Sequence, residues 1–280
     1  MDYILLSFHL GDHLQEILMA ELSLMGYGAF CESQTGFETA IEATQFDSQA
    51  LDELLARYAD QGKISYTYQK QAKQNWNAIW EASFDPILVE GRCRVRAHFH
   101  DPDPAVAHDL IITPKMSFGT GHHQTTRLML AQQLHLGNRF TRVLDLGTGT
   151  GVLGILAYRL GAQRVWGFDI DPWSVENAQE NARLNNADLH VSLGTVADAQ
   201  QLLSPDLEGF DLILANINRH VLEQEIPLYV DLLLPKGILL LSGFYEGDIP
   251  LLLEKTPDTM TALGHTTEDD WACLRLEKQA

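Results

Sequence analysis

The chain has 280 residues, 45% of them hydrophobic, and 38 acids against 19 bases leave a formal net charge of −19. That length buries a sizeable core and suits two domains. The acid excess argues against sequence-independent nucleic-acid binding, which rests on Lys and Arg meeting phosphate, and no apolar run reaches the roughly 20 residues that span a bilayer.

The N-terminal elements alternate in a simple order. Tyr3 to Leu10 is a short apolar strand, and Asp12 to Leu24 carries Leu14, Ile17, Leu18, Leu22 and Leu24 at helical spacing before Gly26 stops it. Ala29 to Glu32 and Phe37 to Glu42 flank Ser33-Gln-Thr-Gly36, a hairpin signal. Asp47 to Tyr58 predicts a second helix with Leu51, Leu54, Leu55 and Tyr58 on one face, and Ile64 to Gln69 alternates as a last strand. Strand-helix-strand-strand-helix-strand is the ferredoxin-like split unit. It contains no evident catalytic constellation, so a recognition role is expected of it.

A connecting region follows. Trp76 and Trp80 in Asn75-Trp-Asn-Ala-Ile-Trp80 share a helical face and are expected to pack rather than to hold a ligand. Arg92 to Phe99 reads as a half-exposed strand, Asp101-Pro-Asp-Pro104 as a turn, and Leu110 to Thr113 as a strand closed by Pro114. The expected division is a recognition domain over residues 1–72, a linker with connecting strands over 73–114, and a doubly wound α/β domain over 115–280.

Lys115-Met-Ser-Phe-Gly-Thr-Gly-His-His-Gln-Thr-Thr126 precedes an apolar helix, Leu128 to Leu136. It lacks the Gly-Lys-Ser/Thr ending of a phosphate loop. Adjacent His122 and His123 point apart on most backbones and have no second ligand motif nearby, so no metal is expected. The stretch reads as a flexible lid or wall beside a ligand, with Thr125 or Thr126 capping the helix and reaching the ligand. No residue stands out as a general base, and His122 or His123 is a hypothesis for that role from position on the lid alone.

Arg142-Val-Leu-Asp-Leu-Gly-Thr-Gly-Thr-Gly151 is the most informative segment. A buried strand runs into alternating glycines, and Val152 to Leu160 then reads as a helix stopped by Gly161. Arg164 to Phe168 is the next strand, and Asp169 ends it, eighteen residues after Gly151. A doubly wound fold places a ribose-binding carboxylate there. Two adenosine cofactors compete for such a loop. A dinucleotide prefers Gly-x-Gly-x-x-Gly, but Val152 stands where that third glycine belongs. Asp145, inside the strand, would repel pyrophosphate and suits a ligand bearing an ammonium and a sulfonium. S-adenosylmethionine fits better than a nicotinamide dinucleotide.

Asp171-Pro172 caps a helix running to Asn185. Leu189 to Leu193, Phe210 to Ala215 and Ile238 to Ser242 are further strands, with Pro235-Lys-Gly237 as the turn before the last, and Met260 to Leu263 and Trp271 to Leu276 pair as a closing hairpin. Asp198 is placed to meet the adenine amine. Asn216, ending a strand, can accept a hydrogen bond from a substrate amine and aim its lone pair at a methyl group. Cys31, Cys93 and Cys273 are far apart and odd in number, and they read as reduced thiols of a cytoplasmic protein.

Phe118-Gly-Thr-Gly-His-His-Gln-Thr-Thr126, Asp145-Leu-Gly-Thr-Gly-Thr-Gly-Val-Leu153, Asp169-Ile-Asp-Pro172, Leu214-Ala-Asn-Ile217 and the Asn75–Trp80 phrase together resemble the bacterial methyltransferases of large-subunit ribosomal protein eleven. The resemblance spans essentially the whole chain. It implies a class I methyltransferase domain behind a ferredoxin-like domain that grips the substrate protein on a mobile linker. It implies transfer of methyl groups from S-adenosylmethionine to lysine side chains and the N-terminal amine, with ribosomal protein eleven, free or on the ribosome, as partner and neither nucleic acid nor membrane involved. Thr126, Gly147, Asp169 and Asn216 carry over as cofactor residues. Gly149, Asp198, Phe118 and Thr120 join them on position, and Asn216 is the expected catalytic residue. Lys115-Met-Ser117 departs from the glycine- and alanine-rich residues usual before Phe-Gly-Thr-Gly. A methyltransferase of another protein or small amine, and a non-catalytic cofactor-binding assembly factor, are the alternatives.

Overall fold

The structure, a computed structural model, describes residues 2–33, 35–71, 84–115, 117–204 and 207–280. Trp76 and Trp80 lie outside the described residues. The chain divides into two compact units, residues 1–83 and 84–280.

In the first unit, strands β1 (Tyr3–His9), β2 (Gly28–Ser33), β3 (Gly36–Glu42) and β4 (Ser65–Gln71) form an antiparallel sheet in the order β2-β3-β1-β4. Helices α1 (Asp12–Leu24) and α2 (Ser48–Ala56) complete the ferredoxin-like order. β1 alternates strictly: Ile4, Leu6 and Phe8 are buried while Tyr3 and His9 are exposed. Leu14, Leu18 and Leu22 are the buried stripe of α1, whereas Leu24 is 88% exposed and Ile17 45%. The apolar face is therefore narrower than the sequence pattern suggests. The i, i+4, i+8 line is what meets the sheet, and Ile17 and Leu24 fall off it. Asp47 caps α2, accepting from the N–H groups of Gln49 and Ala50.

The second unit is built on a seven-stranded sheet. β8 (Arg142–Leu146), β9 (Arg164–Asp169), β10 (Leu189–Leu193), β11 (Phe210–Asn216) and β12 (Leu233–Tyr245) run parallel. β13 (Met260–Glu268) and β14 (Trp271–Lys278) add the closing antiparallel pair, in the order β10-β9-β8-β11-β12-β14-β13. The parallel strands are apolar almost throughout because helices cover both faces. Helices α3 (Gln124–Leu136), α4 (Val152–Arg159) and α5 (Pro172–Leu184) share one core. The other face is covered by α6 (Val196–Gln200), α7 (Arg219–Leu232) and α8 (Ile249–Glu254). Strand order reverses between β8 and β11, and a crevice opens there at the carboxyl ends.

Two local differences from the sequence reading have simple causes. Pro235-Lys-Gly237 lies inside β12 as an irregularity: the register jumps from Phe210↔Leu233 to Leu212↔Ile238, with Lys236 at φ 65°. Strands β5 (Ile87–Val89), β6 (Cys93–Arg96) and β7 (His108–Ile111) form a separate three-stranded sheet. Val95, Leu110 and Ile112 enter the same core as Leu128 and Leu156, so these strands share a core with the large sheet. The turn-rich composition around them made them read as connecting structure.

Candidate functional site

A cavity of about 480 Å³ opens at the reversal of strand order, lined by residues from the glycine loop, the ends of β9 and β11, and the stretch before α3. The loop that follows β8 sets its floor. Gly147 and Gly149 hold φ of +66° and +54°. A Cβ on Gly147 would stand 2.2 Å from Ile217 Cγ2, and one on Gly149 would stand 2.4 Å from the Phe118 carbonyl oxygen. Backbone conformation and lack of room for a Cβ both favour glycine at these positions.

Asp169 lies where the sequence reading put it. Its Oδ2 accepts from Gly149 N–H at 2.9 Å and its Oδ1 from Asp171 N–H at 3.0 Å, and the carboxylate lines the cavity. Each oxygen has a further lone pair for a ligand hydroxyl. Beside it, Ile170 is 77% exposed and presents apolar surface to the cavity.

Asp145 does something other than face a cationic ligand. It is 1% exposed, and its Oδ2 accepts from Thr148 Oγ1 at 2.7 Å and from Gly154 N–H at 3.1 Å. It braces the glycine loop and α4 from beneath and does not line the cavity. Burial pushes its pKa up to about 7, against the two hydrogen bonds that favour the carboxylate. From sequence, an acid inside a strand can point to either face, and only the packing decides which.

Asn216 ends β11 one residue after Ala215, which pairs with Leu146 of β8. Asn216 therefore stands across from Gly147. It lines the cavity, and its Oδ1 is buried with no hydrogen-bond partner among the described residues. A buried amide oxygen left unpaired costs free energy, which an N–H donor from a ligand would recover.

The stretch before α3 is arranged differently from the expectation. The N-cap is His123, whose Nδ1 accepts from Thr125 N–H at 3.3 Å, and neither threonine caps the helix. Thr125 lines the cavity. Thr126 is 1% exposed, is not among the lining residues, and its Oγ1 has no partner among the described residues. Phe118 lines the cavity with a ring 52% exposed. Thr120 is turned away and meets His122 Nδ1 at 3.2 Å. The two histidines diverge. His122 is exposed, its Nε2 bonded to the Asp85 carbonyl at 3.1 Å, while His123 lies 4.8 Å from the Trp271 ring at the cavity wall. Burial, then the nearby Arg127 charge, holds the His123 imidazole below its usual range. Its Nδ1 lone pair is committed to the cap, which argues against a general-base role.

Asp198 is likewise diverted. It is the third residue of α6, and its Oδ2 accepts from Thr195 N–H at 2.8 Å in a capping box. Gly194, Thr195 and Val196 line the cavity instead. Trp271, Val221 and Glu225 also line it, and the sequence reading singled out none of them. Glu225 accepts from the Tyr229 hydroxyl. An exposed isoleucine directly after Asp169 was a usable signal. Trp271 and Glu225 offered none, because their proximity to the glycine loop depends on how β14 and α7 dock. Among the described residues no cluster of His, Cys, Asp and Glu is grouped to hold a metal ion.

Comparison with known proteins follows the same lines. The profile of the family described as ribosomal protein L11 methyltransferase (PrmA) matches residues 20–279. A ribosomal protein L11 methyltransferase of Porphyromonas gingivalis is 41% identical over 93% of this chain and 89% of its own length. One from Phocaeicola vulgatus is 35% identical over 94% and 93%. Among solved structures, the ribosomal protein L11 methylase of Lactobacillus delbrueckii subsp. bulgaricus superposes with a TM-score of 0.59 at 26% identity, covering 70% of this chain and 100% of that one.

Proposed function

The chain belongs to the ribosomal protein L11 methyltransferase family, and from that membership we propose that it methylates lysine side chains and the N-terminal amine of ribosomal protein L11 with S-adenosylmethionine. The observation that carries this reading is Asn216, which lines the cavity across from Gly147 at the switch point of the sheet and whose buried Oδ1 has no hydrogen-bond partner among the described residues.

The residues present fit S-adenosylmethionine. Asp169 can hold two ribose hydroxyls, and Ile170 and Val196 offer apolar surface for an adenine ring. The glycine loop brings backbone close enough for a ligand tail without a side chain in the way. When bound, the cofactor supplies an electrophilic methyl group on sulfur.

The protein's own part is to present a neutral amine. A lysine amine with a pKa of about 10.4 is mostly protonated at pH 7, and removing its proton there costs roughly 4 to 5 kcal/mol. The apolar cavity walls, Phe118 and Trp271 among them, disfavour the ammonium by desolvation. Asn216 Oδ1 accepts one N–H of the amine and leaves the nitrogen lone pair directed away from the carbonyl, toward the methyl group. With the cofactor bound, its methyl group would pass to the amine nitrogen and one amine proton would leave to solvent.

The test is incubation of the purified chain with methyl-labelled S-adenosylmethionine and a total ribosomal extract. Label is expected in protein L11. Label confined to RNA or to small molecules overturns the reading, and binding of a nicotinamide dinucleotide in place of S-adenosylmethionine in calorimetry overturns the cofactor assignment.

A further inference from the structure

Thr150 lies in the glycine loop, is fully buried, and spends every polar group it has on two segments remote in sequence. Its N–H donates to the Phe118 carbonyl at 2.9 Å, and its Oγ1 donates to the Gly119 carbonyl at 2.7 Å. Its own carbonyl accepts from Asn181 Nδ2 at 2.9 Å. Asn181 then reaches on, its Oδ1 accepting from Thr113 N–H at 2.8 Å, so the root of the 118–121 segment is held by the same network. A turn between a strand and a helix requires none of these bonds.

The fit is close from both sides. A Cβ on Gly119 would stand 2.7 Å from Thr150 Oγ1, and one on Gly149 would stand 2.4 Å from the Phe118 carbonyl oxygen. The glycine loop meets the 118–119 backbone directly at Gly149 and through the Thr150 hydroxyl at Gly119, and the Phe118 ring beyond that contact forms a wall of the cavity.

We propose that Thr150 is a positioning residue for the cofactor site. It staples the 118–121 segment to the glycine loop, so that the Phe118 wall is pre-formed and moves with the loop instead of opening as a free lid. The inference rests on the proposed function only in taking the cavity to bind S-adenosylmethionine. A pre-formed wall matters because a site that must first be ordered loses affinity in proportion to the fraction of molecules not competent to bind.

The experiment uses the full chain in two measurements. Hydrogen exchange on the free protein reads the staple itself, and calorimetry with S-adenosylmethionine reads its consequence. Thr150→Val keeps the volume and removes the hydroxyl. It is expected to speed exchange across residues 118–121 and to weaken cofactor binding roughly tenfold, the scale of one lost hydrogen bond. Thr150→Ser is expected to restore both to within about twofold. Gly119→Ala attacks the contact from the other side and serves if the valine variant fails to fold. It is expected to give the same two changes, and the double variant is expected to fall well short of the product of the single effects. Unchanged exchange in 118–121, unchanged affinity, failure of the serine variant to restore either, or multiplicative effects in the double variant would each overturn the staple. A wild-type chain that exchanges as expected but binds no S-adenosylmethionine overturns the function reading and leaves the staple standing.

Discussion

Asn216 and Asp145 are both polar residues in or at the end of apolar parallel strands, yet the packing assigns them opposite tasks. Asn216 lines the cavity, whereas Asp145 lies off it with Oδ2 bonded under the loop; each keeps one buried oxygen without a partner among the described residues. Under the proposed function, Asn216→Ala is expected to lower kcat by about two to three orders of magnitude, the scale of one positioned polar group. S-adenosylmethionine binding measured by calorimetry should stay within a few-fold; an equal loss of binding would move Asn216 from the reaction to the cofactor. For Asp145 the sign follows from its raised pKa. The folded state holds its proton up to about pH 7 while the unfolded chain releases it near the ordinary carboxyl value of 3.8. Its contribution to stability is therefore present below about pH 4 and declines as pH rises toward 7. In Asp145→Asn that decline is absent, so the gap in melting temperature between wild type and variant should shift in the variant's favour from pH 4 to pH 7.5. A gap that stays constant across that range would show that the carboxyl does not titrate there. Residue types at the site were thus legible: Gly147, Gly149, Asp169 and Asn216 all line the cavity. Direction was not legible. Asp198 and Thr120 sit in the right segments, but a capping box and a local contact with His122 take their side chains, and Thr126 is buried away from the cavity-lining residues.

At the scale of elements, α5 carries a line of buried asparagines. Asn177, Asn181 and, at the helix end, Asn185 project toward β7 and the residues after it. Asn185 Oδ1 accepts from Ile111 N–H at 2.9 Å and its Nδ2 donates to the Ile111 carbonyl, which completes the strand's backbone pairing with side-chain amides. Asn181 Oδ1 accepts from Thr113 N–H while its Nδ2 donates to the Thr150 carbonyl, and the Thr113 carbonyl accepts from Asn177 Nδ2 at 3.4 Å. Asn181→Leu would leave a backbone donor and an acceptor without partners in a buried place. It is expected to destabilise the chain by about 2 to 4 kcal/mol, read from denaturant midpoints. A loss under about 0.5 kcal/mol would mean that water replaces the amide. The cap and the spacing located α5, and they assigned no task to its three asparagines. Spacing of four reveals which residues share a face. It does not reveal that the face meets another strand's unpaired edge, which is a long-range fact.

For the molecule as a whole, the acid excess is spread across both units; residues 1–72 alone hold eleven acids against three bases. Under the proposed function a substrate presenting lysine and N-terminal amines approaches an acidic enzyme, so association is steered by long-range attraction. kcat/KM for the protein substrate is expected to fall about tenfold as salt rises from roughly 0.05 to 0.5 M, because the Debye length shrinks from about 14 to 4 Å. S-adenosylmethionine affinity should change little over the same range. Salt-independent kcat/KM would show that the charge serves solubility and not encounter. Much of the order of elements was readable from one dimension: the two described helices and four strands of the first unit, the strands of the large sheet, α3 to α5 and the closing hairpin follow from hydrophobic period and turn residues, whereas α6, α7 and α8 were not singled out. The amino-acid sequence by itself determined this architecture, the glycine loop at the switch point, and the pairing of an acid at the end of β9 with an amide at the end of β11. These are consequences of local spacing, and local spacing is what a chain encodes directly. Only the tertiary structure decided that Asp145 braces rather than binds, that His123 rather than a threonine caps α3, that Trp271 and Glu225 reach the cavity, and that Thr150 holds the wall of the site. Each of these depends on which segments, far apart in the chain, come within a few ångströms, and that is settled by how the sheet's two helical layers close around it.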